Sequence, residues 1–335
     1  MTTQRQTGRP HRLSVVIPAT DVPSLEETLV SVLENRPQGC EVIVALGTPY
    51  DDPWNIGEEV TFVDAIGSGI VGCANEGIAA ATGDVIHVLA AGWKATDGWT
   101  DRALDHFARG DVGAVVPVAV ADADRDQPVS AGVRRTPGGR VMPVVPRRRK
   151  RGGIAITARP SAPALEAGFW RADVLMADGG FTTVCGEANA AADMSAWLKA
   201  AGLEVVAEPD SRVVRGPVPR RSGAFLAGLH AERLFWRSLS CERFIPALVA
   251  HAGEVMRHAA ARAPLGTLAM LAGRFAALVQ FGSCVPRSRQ LAALRSQARR
   301  QGPAGGGSRT YRIDAPHEAA APPHAAPARR LKRSA

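Results

Sequence analysis

Short apolar runs alternate with segments of helical periodicity over the first 120 residues. The apolar runs lie at 13–17, 41–46, 60–64, 84–89 and 112–120. Because they are continuous rather than alternating, they predict strands that are buried on both faces. Residues 70–81 carry apolar side chains at helical spacing and end before Gly83, a residue type that often follows a helix. This alternation predicts an α/β fold in which helices cover both faces of a mostly parallel sheet.

Residues 121–153 interrupt the alternation. They are rich in Asp, Gly, Pro and Arg and end in the run RRRKR at 147–151, which predicts a long, exposed basic loop. Further along the chain, residues 222–282 show the periodicity of two or three amphipathic helices. We therefore predict one α/β domain over 12–215 and a helical extension over 216–285.

The two ends of the chain have compositions that do not favour a packed core. Residues 1–11 are polar, and residues 286–335 are dominated by Gly, Pro, Ala and Arg. Such segments bury too little apolar surface to offset the loss of conformational entropy on folding. We expect a disordered N-terminus and a disordered basic tail.

The basic charge of the chain is concentrated in two segments. Its 335 residues include 40 Lys and Arg against 32 Asp and Glu, a net charge of +8. Residues 1–133 hold 8 basic and 19 acidic side chains, whereas 134–151 hold 8 basic and no acidic ones, and 286–335 hold 11 and 2. This distribution excludes a uniformly basic nucleic-acid binder, and we expect no specific nucleic-acid partner. We expect 147–151 and the tail to contact an anionic membrane surface or an acidic partner.

Cysteine usage and the N-terminal sequence both indicate the cytoplasm. The five cysteines are widely spaced and never form a C-x-x-C pair, which argues against a disulfide framework or a zinc site. The first residues lack the apolar segment of a signal peptide. The most apolar window, 263–285, is interrupted by Arg274 and Gln280 and is not a clean membrane span. We expect a cytoplasmic protein that can lie at the periphery of a membrane.

A glycine-rich turn lies between the third predicted strand and the helix that follows it. Gly67, Gly69 and Gly72 form a G-x-G-x-x-G pattern, which can bring a pyrophosphate to a helix N-terminus. The pattern follows the third strand rather than the first, and a lone fingerprint is weak. A tight turn that lets the helix pack closely is the favoured interpretation, and a dinucleotide-binding enzyme is a distant alternative.

Several sequence blocks occur together in a recognisable order. They are LSVVIPAT at 13–20, EVIVALG at 41–47, ANEGIAAATGD at 74–84, GGF at 179–181 and ADMSAWLKAAG at 192–202. This order resembles the family 2 glycosyltransferases of the GT-A fold over about residues 12–240. The resemblance implies a nucleotide-diphospho-sugar transferase-like domain that transfers a sugar from a nucleotide-sugar to a glycan or lipid acceptor.

The acidic landmarks of that family are replaced in this chain. The D-x-D position, which holds Mg²⁺ or Mn²⁺ in the family, reads Ala90-Ala91-Gly92, and the position of the catalytic base is Ala191. The family's later histidine corresponds to Arg215. The metal ligands are absent, so we expect no metal cofactor and a metal-dependent chemistry that is lost or altered. The alternative is a catalytically inactive protein that acts as a binding or scaffold module.

Substitute groups for the missing acids can still be named. Glu187 and Asp193 are the candidate bases, Glu187 being the better placed along the chain. Arginines of the basic loop can replace a metal as partners of the diphosphate. The candidate donor-binding positions, which include strand ends and this loop, are Pro18, Ala19, Asp64, Asn75, Ala90, Gly92, Arg147, Arg148 and Arg149.

Two further sets of residues have both a possible ligand-binding role and a purely structural one. His251, Glu254 and His258 share one helix face and could hold a metal ion, but a polar helix face is favoured and we predict no metal site. Trp93 and Trp99 flank the turn after the fourth strand and could stack on a sugar ring, although Trp99 matches a packing position of the family.

Overall fold

The structure is a computed structural model that describes residues 11–149, 153–217, 222–239 and 244–301. The strands are β1 (Leu13–Ala19), β2 (Glu41–Leu46), β3 (Thr61–Asp64), β4 (Val85–Leu89), β5 (Lys94–Ala95), β6 (Val112–Val120), β7 (Pro128–Ser130), β8 (Val133–Arg135), β9 (Val141–Pro143), β10 (Arg147–Arg148), β11 (Ile154–Ala155), β12 (Ala167–Arg171) and β13 (Glu204–Val214). The helices are α1 (Val22–Asn35), α2 (Ile70–Ala80), α3 (Asp101–Asp105), α4 (Ala172–Asp178), α5 (Ala190–Ala200), α6 (Ala224–Ser238), α7 (Phe244–Arg262), α8 (Thr267–Val279) and α9 (Val285–Gln301).

One sheet runs through the centre of the molecule in the order β3-β2-β1-β4-β12-β6-β13-β5, with β7 beside β6. Strands β3, β2, β1 and β4 are parallel, and β6 is parallel to β13. Strand β12 lies between β4 and β6 and is antiparallel to both, so β4 and β6 run in the same direction. Consequently β1, β4, β6 and β13 end at one edge of the sheet, the carboxyl edge, and β12 begins there. The predicted α/β fold with a mostly parallel sheet is confirmed.

Apolar packing covers both faces of the sheet. Every residue of β1, β4 and β6 is buried, which is why these strands read as continuous apolar runs. Val15 and Val16 point to opposite faces and enter separate cores. One core is completed by α2, α4 and α5 and the other by α1 and α3. Each fully buried aliphatic side chain contributes about 1.5–3 kcal/mol of hydrophobic stabilisation, so the centre of the sheet is the rigid base of the fold.

The segment 121–153 forms short strands rather than one long loop. Strand β8 pairs with β9 and β10 with β11, both antiparallel, while β7 extends the main sheet. The amide of Thr136 donates to the carbonyl of Arg140 (2.9 Å), closing a hairpin turn around two glycines. A proline and two glycines in sequence signal such a turn, and this signal outweighs the low apolar content of the flanking strands. Residues 150–152 lie outside the described residues.

The disorder expected from residue 286 does not begin there. Helix α9 runs to Gln301 and packs against α5, with Leu291 and Leu294 buried. Arg287 on the same helix is buried as well. Two leucines at helical spacing and one paired arginine anchor a segment whose average composition is polar. The prediction is therefore wrong as far as Gln301, and residues 302–335, like residues 1–10, lie outside the described residues.

Helices α6 to α9 follow the sheet, as the periodicity of 222–282 predicts for the first three. Within the part of the chain that the structure describes, no single helix passes the length and hydropathy test for a membrane span. The pair Thr267–Val279 and Phe281–Arg300, bent by 68°, passes it together. The boundary between a domain and an extension at residue 215 stays a prediction.

Candidate functional site

A cavity of about 1080 Å³ lies between the carboxyl edge of the sheet and helices α6, α7 and α8. Trp93 follows β4, Arg215 follows β13, and Glu166 precedes β12, so all three line its sheet side. The opposite wall includes His258 and Arg262 of α7. In open α/β folds ligands bind beyond the carboxyl ends of the strands, so this cavity is the candidate functional site.

The turn after β4 is fastened by its backbone amides. The amide of Ala90 donates to the carbonyl of Glu166 (2.8 Å). The amide of Gly92 is shared between the carbonyl of Ser24 (2.9 Å) and the hydroxyl oxygen of Thr28 (2.8 Å). These bonds tie the turn both to α1 and to the start of β12. The D-x-D position is therefore a rigid element of the fold.

The position of Gly92 has no room for a metal-binding side chain. Its φ is +88°, a region in which side chains other than glycine's are strained, and a Cβ there would lie 2.8 Å from Cδ of Pro217. Ala90 is itself buried. Over the described residues, no group of three or more His, Cys, Asp or Glu side chains is arranged to hold a metal ion. The residues at this turn do not fit the Mg²⁺ or Mn²⁺ ion that the resemblance implies.

Glu166 and Arg215 bring opposite charges to the cavity. Burial raises the pKa of the Glu166 carboxyl, and the Arg215 guanidinium offsets part of that rise. The amide of Arg215 donates to the carbonyl of Val120 (2.9 Å), which fixes it at the end of β13. Sequence reasoning aligned Arg215 with a histidine of the family but missed Glu166, because no motif marks that residue. The available signal was its position directly before an apolar run, and the direction of that strand cannot be read from the sequence.

The predicted base Glu187 is exposed and lines the cavity. Its carboxylate lies against Gly69, because a Cβ built at Gly69 would collide with Oε1 of Glu187. Gly69 is the N-cap of α2 and makes no side-chain capping bond, so the carboxylate occupies a favourable place near the positive end of the helix dipole. A pyrophosphate bound by a dinucleotide fingerprint would need this same place. The arrangement disfavours the dinucleotide interpretation of the glycine-rich turn.

The second candidate base, Asp193, is buried away from the cavity. Its side chain accepts hydrogen bonds from Nε of Arg237 (3.2 Å) and from Nη2 of Arg287 (3.3 Å). It is 1% exposed, and Ala191, at the position of the family base, is buried in the core of the same helix. Asp193 therefore anchors α6 and α9 to α5, and an acceptor in the cavity does not reach it.

Asn75 fastens a backbone turn instead of facing the cavity. Its Nδ2 donates to the carbonyl of Phe181, and its Oδ1 accepts from the amide of Phe181, both at 2.8 Å. The adjacent Gly180 has a φ of +84°, and a Cβ there would lie 2.6 Å from Oδ1 of Asn75. Asn75 and the Gly-Gly-Phe turn form one packing unit, and Asn75 does not line the cavity. Its expected donor-binding role stays a prediction.

Three other candidate donor-binding positions lie at strand ends but not in the cavity wall. Ala19 is buried, and the carbonyl of Pro18 accepts from the amide of Ala91 (3.1 Å). Asp64 is exposed, and its Oδ1 accepts from the amide of Ile66 (3.0 Å). These residues shape the turns at the carboxyl edge, whereas the expectation was that they contact a donor.

The basic run of β10 is exposed and does not line the cavity either. Arg148 forms a surface ion pair with Asp126 (3.6 Å), and Arg147 and Arg149 are exposed beside it. The expectation that these residues meet the donor is not supported by their placement. The arginines in the cavity wall are instead Arg140, Arg215, Arg257, Arg262 and Arg274.

The helix face of His251, Glu254 and His258 belongs to an internal polar network. Nε2 of His251 lies 3.1 Å from both carboxylate oxygens of Glu232. Nη1 of Arg274 donates to Glu232 (2.6 Å), and Nη2 of Arg274 donates to Nδ1 of His258 (3.1 Å). Burial and then the charge of Arg274 lower the pKa of His258. The face thus links α6, α7 and α8, and its nitrogen atoms are engaged by protein partners.

Comparison with known proteins gives a family match over part of the chain and a fold. Residues 14–151 match the model of Glycosyl transferase family 2. The mannosyltransferase PcManGT from Pyrobaculum calidifontis, solved in complex with GDP-Man and Mn²⁺, is 17% identical with a TM-score of 0.50, over 87% of this chain and 84% of that chain. The S. aureus protein TarS 1–349 is 13% identical with a TM-score of 0.55, over 87% and 92% of the two chains. No curated protein matches the chain in sequence.

The sequence match covers β1 to β10 and the turn at the D-x-D position, and the two structural matches each cover 87% of this chain. At sequence identities this low, structural similarity shows the fold alone. The activity has to be argued from the site. Residues 14–151 therefore resemble Glycosyl transferase family 2, and the chain has the fold of the GT-A glycosyltransferases.

Proposed function

We propose that this chain binds a nucleotide-diphospho-sugar in the cavity and transfers its sugar to a glycan or lipid acceptor without a D-x-D metal. The observation that carries the proposal is the large cavity at the carboxyl edge, with Trp93, Glu166 and Arg215 gathered around the D-x-D turn. The similar mannosyltransferase solved with GDP-Man and Mn²⁺ supports the class of donor. The replaced metal position supports a different way of neutralising the diphosphate.

Arginines supply the positive charge in this proposal. Arg140, Arg215 and Arg262 line the cavity and form no ion pair with any residue in the described ranges. A guanidinium can donate two parallel hydrogen bonds to phosphate oxygens, which makes arginine a strong partner for a diphosphate. Arg215 is the principal candidate because it lies beside Glu166, which contacts the D-x-D turn. In this proposal Arg215, and not the exposed run at 147–149, supplies the positive charge that a metal ion would otherwise supply.

The transfer also needs a base for the acceptor hydroxyl. Glu187 is the proposed base, since its exposed carboxylate lines the cavity. The acceptor oxygen attacks the anomeric carbon, its proton passes to Glu187, and the bond from that carbon to the diphosphate oxygen breaks. The nucleoside diphosphate leaves with the electron pair, and Arg215 stabilises the charge that develops on it.

A catalytically inactive binding or scaffold module is the second candidate. Ala191 is buried at the position of the family base, and Asp193 is bound by two arginines. Both observations favour a fold retained without its original acids. The two candidates differ in one measurable respect, namely whether a bound donor is consumed.

Thermal unfolding with UDP, GDP and their sugars, each with and without Mn²⁺, tests donor binding. We expect a nucleoside diphosphate to raise the melting temperature without metal, and NADH to have no effect. Stabilisation that requires Mn²⁺ would contradict the metal-free proposal, and the absence of stabilisation by any nucleotide would contradict donor binding altogether.

Release of free nucleoside diphosphate from the stabilising donor then separates the two candidates. We expect slow release that Glu187→Gln abolishes. Glu76→Gln, which changes an exposed glutamate of α2, is the matched control and should keep the activity. Binding without any donor consumption would favour the scaffold function, and unchanged release in Glu187→Gln would exclude that residue as the base.

A further inference from the structure

Helix α8 lacks the charged outer face of a helix on a water-exposed surface. Its inner face packs on α6 and contains Arg274, whose guanidinium pairs with the buried Glu232 (2.6 Å). Its outer face carries Leu268, Phe275 and Val279, at helical spacing and between 68% and 80% exposed. Surface helices normally turn their apolar stripe inward and their charges outward. The outer face of α8 is therefore suited to an apolar medium.

The preceding helix continues this apolar surface. Val249 and Met256 of α7 are 69% and 74% exposed, and Leu265, in the turn between the two helices, is 95% exposed. We define the α7–α8 face as the six exposed apolar residues Val249, Met256, Leu265, Leu268, Phe275 and Val279. Contiguous apolar exposure on consecutive elements marks a surface that contacts a partner or a membrane.

The charge of the surrounding segment is of one sign. Residues 255–301 contain eight arginines and no Asp or Glu. Arg274 and Arg287 are buried in ion pairs, and Arg257 on α7 pairs with Glu254. Arg289, Arg299 and Arg300 on α9 are exposed. A basic, acid-free helical segment with an exposed apolar stripe has the composition of helices that lie in the headgroup layer of anionic bilayers.

We propose that the α7–α8 face docks this protein onto the surface of an anionic lipid bilayer. The apolar side chains of the face enter the boundary between headgroups and acyl chains, and the neighbouring arginines bind the lipid phosphates. The membrane contact thus lies on α7 and α8, whereas the sequence placed it at 147–151 and in the tail. A bilayer fits better than a protein partner because the exposed apolar residues lie in an arginine-rich, acid-free segment, which matches the charge of anionic lipid headgroups. This inference stands independently of the proposed glycosyl transfer.

Co-sedimentation of the full chain with vesicles tests the proposal. We expect binding to phosphatidylcholine vesicles that contain phosphatidylglycerol, weaker binding to phosphatidylcholine alone, and partial loss at high salt. The variant Leu268→Ser/Phe275→Ser/Val279→Ser should reduce partitioning by about tenfold or more. Its matched control, Val30→Ser/Trp54→Ser/Ile66→Ser, removes exposed apolar side chains of the sheet domain and should bind like the unmodified chain.

Circular dichroism and thermal unfolding of both variants verify that each is folded. Equal vesicle binding by the α8 variant and its control would overturn the proposal, as would the absence of vesicle binding by the unmodified chain. Light scattering without lipid distinguishes a second occupant. If the unmodified chain is a dimer and the α8 variant is a monomer, the α7–α8 face binds another copy of this chain. That result would overturn the proposal of bilayer binding.

Discussion

The backbone amide of Ala90 donates a 2.8 Å hydrogen bond to the carbonyl of Glu166. The bond joins the end of β4 to the residue before β12, which are distant along the chain but adjacent at the carboxyl edge. It brings a carboxyl group next to a turn from which the family's acids are missing. Burial raises the pKa of that carboxyl, and the charge of Arg215 offsets part of the rise.

Replacing Glu166 by Gln should stabilise the protein near neutral pH. The folded chain holds the Glu166 proton to higher pH than the unfolded chain does, so this residue costs stability progressively as pH rises above the usual glutamate range near 4.5. We expect Glu166→Gln to unfold at a higher temperature than the unmodified chain at pH 7. The difference should disappear below about pH 4, where Glu166 is protonated in both states. A lower melting temperature of Glu166→Gln at pH 7 would show that pairing with Arg215 outweighs burial.

Removing the guanidinium of Arg215 should weaken nucleotide binding. We expect Arg215→Gln to reduce affinity for a nucleoside diphosphate by about tenfold or more, because a charge-assisted bond to phosphate is lost. Isothermal titration calorimetry measures the change. The triple variant Arg147→Gln/Arg148→Gln/Arg149→Gln should retain the affinity, since these side chains do not line the cavity. If the triple variant lost affinity and Arg215→Gln kept it, the basic run at 147–149 would be the group that binds the diphosphate.

Restoring a carboxylate at the D-x-D position should fail. Gly92→Asp places a side chain at a φ of +88° and against Pro217, so we expect a loss of about 1–3 kcal/mol in unfolding free energy and no Mn²⁺-dependent activity. Gly153→Asp is the matched control. Its φ is +81° with nothing within 4 Å, so it measures the backbone strain alone. A Gly92→Asp variant as stable as Gly153→Asp would show that Pro217 yields easily.

Asp193→Asn should destabilise the fold strongly. It removes the negative charge between Arg237 and Arg287, and leaving buried cations without their partner costs about 3–5 kcal/mol. Urea unfolding measures the difference. Asp64→Asn, at an exposed turn that asparagine can also form, should change stability by less than about 0.5 kcal/mol. Arg287 also pairs with Asp178, so a small effect of Asp193→Asn would mean that Asp178 is sufficient to satisfy Arg287.

The ring of His87 should make the protein sensitive to acid. His87 is fully buried beside Trp99 and Phe169, and burial lowers its pKa to about 3. Between pH 6.5 and 3 the unfolded chain binds a proton that the folded chain excludes, so stability is lost by up to about 1.4 kcal/mol per pH unit as pH falls. His87→Phe should reduce this slope in melting experiments between pH 6.5 and 4. An unchanged slope would mean that other groups control acid unfolding.

The sheet could be predicted from the sequence because its signals are local. A strand that is buried on both faces must be apolar at every position, as in β1, β4 and β6. Residue identity alone also led to the prediction that Ala90, Gly92 and Ala191 stand where the resemblance implies acids. The start of α9 was missed because Leu291 and Leu294 are only two apolar residues among polar neighbours. They stabilise the helix only because α5 offers an apolar surface on which they pack.

The content of the site could not be predicted in the same way because it depends on long-range placement. Glu166 reaches the cavity since β12 runs antiparallel to β4, and nothing in an apolar run reveals its direction. Asp193 is withdrawn from the cavity since α6 and α9 carry Arg237 and Arg287 to it. The sequence by itself determined the fold and the absence of the family's acids. Only the tertiary structure decided which charges face the cavity, because that depends on the directions in which distant segments pack.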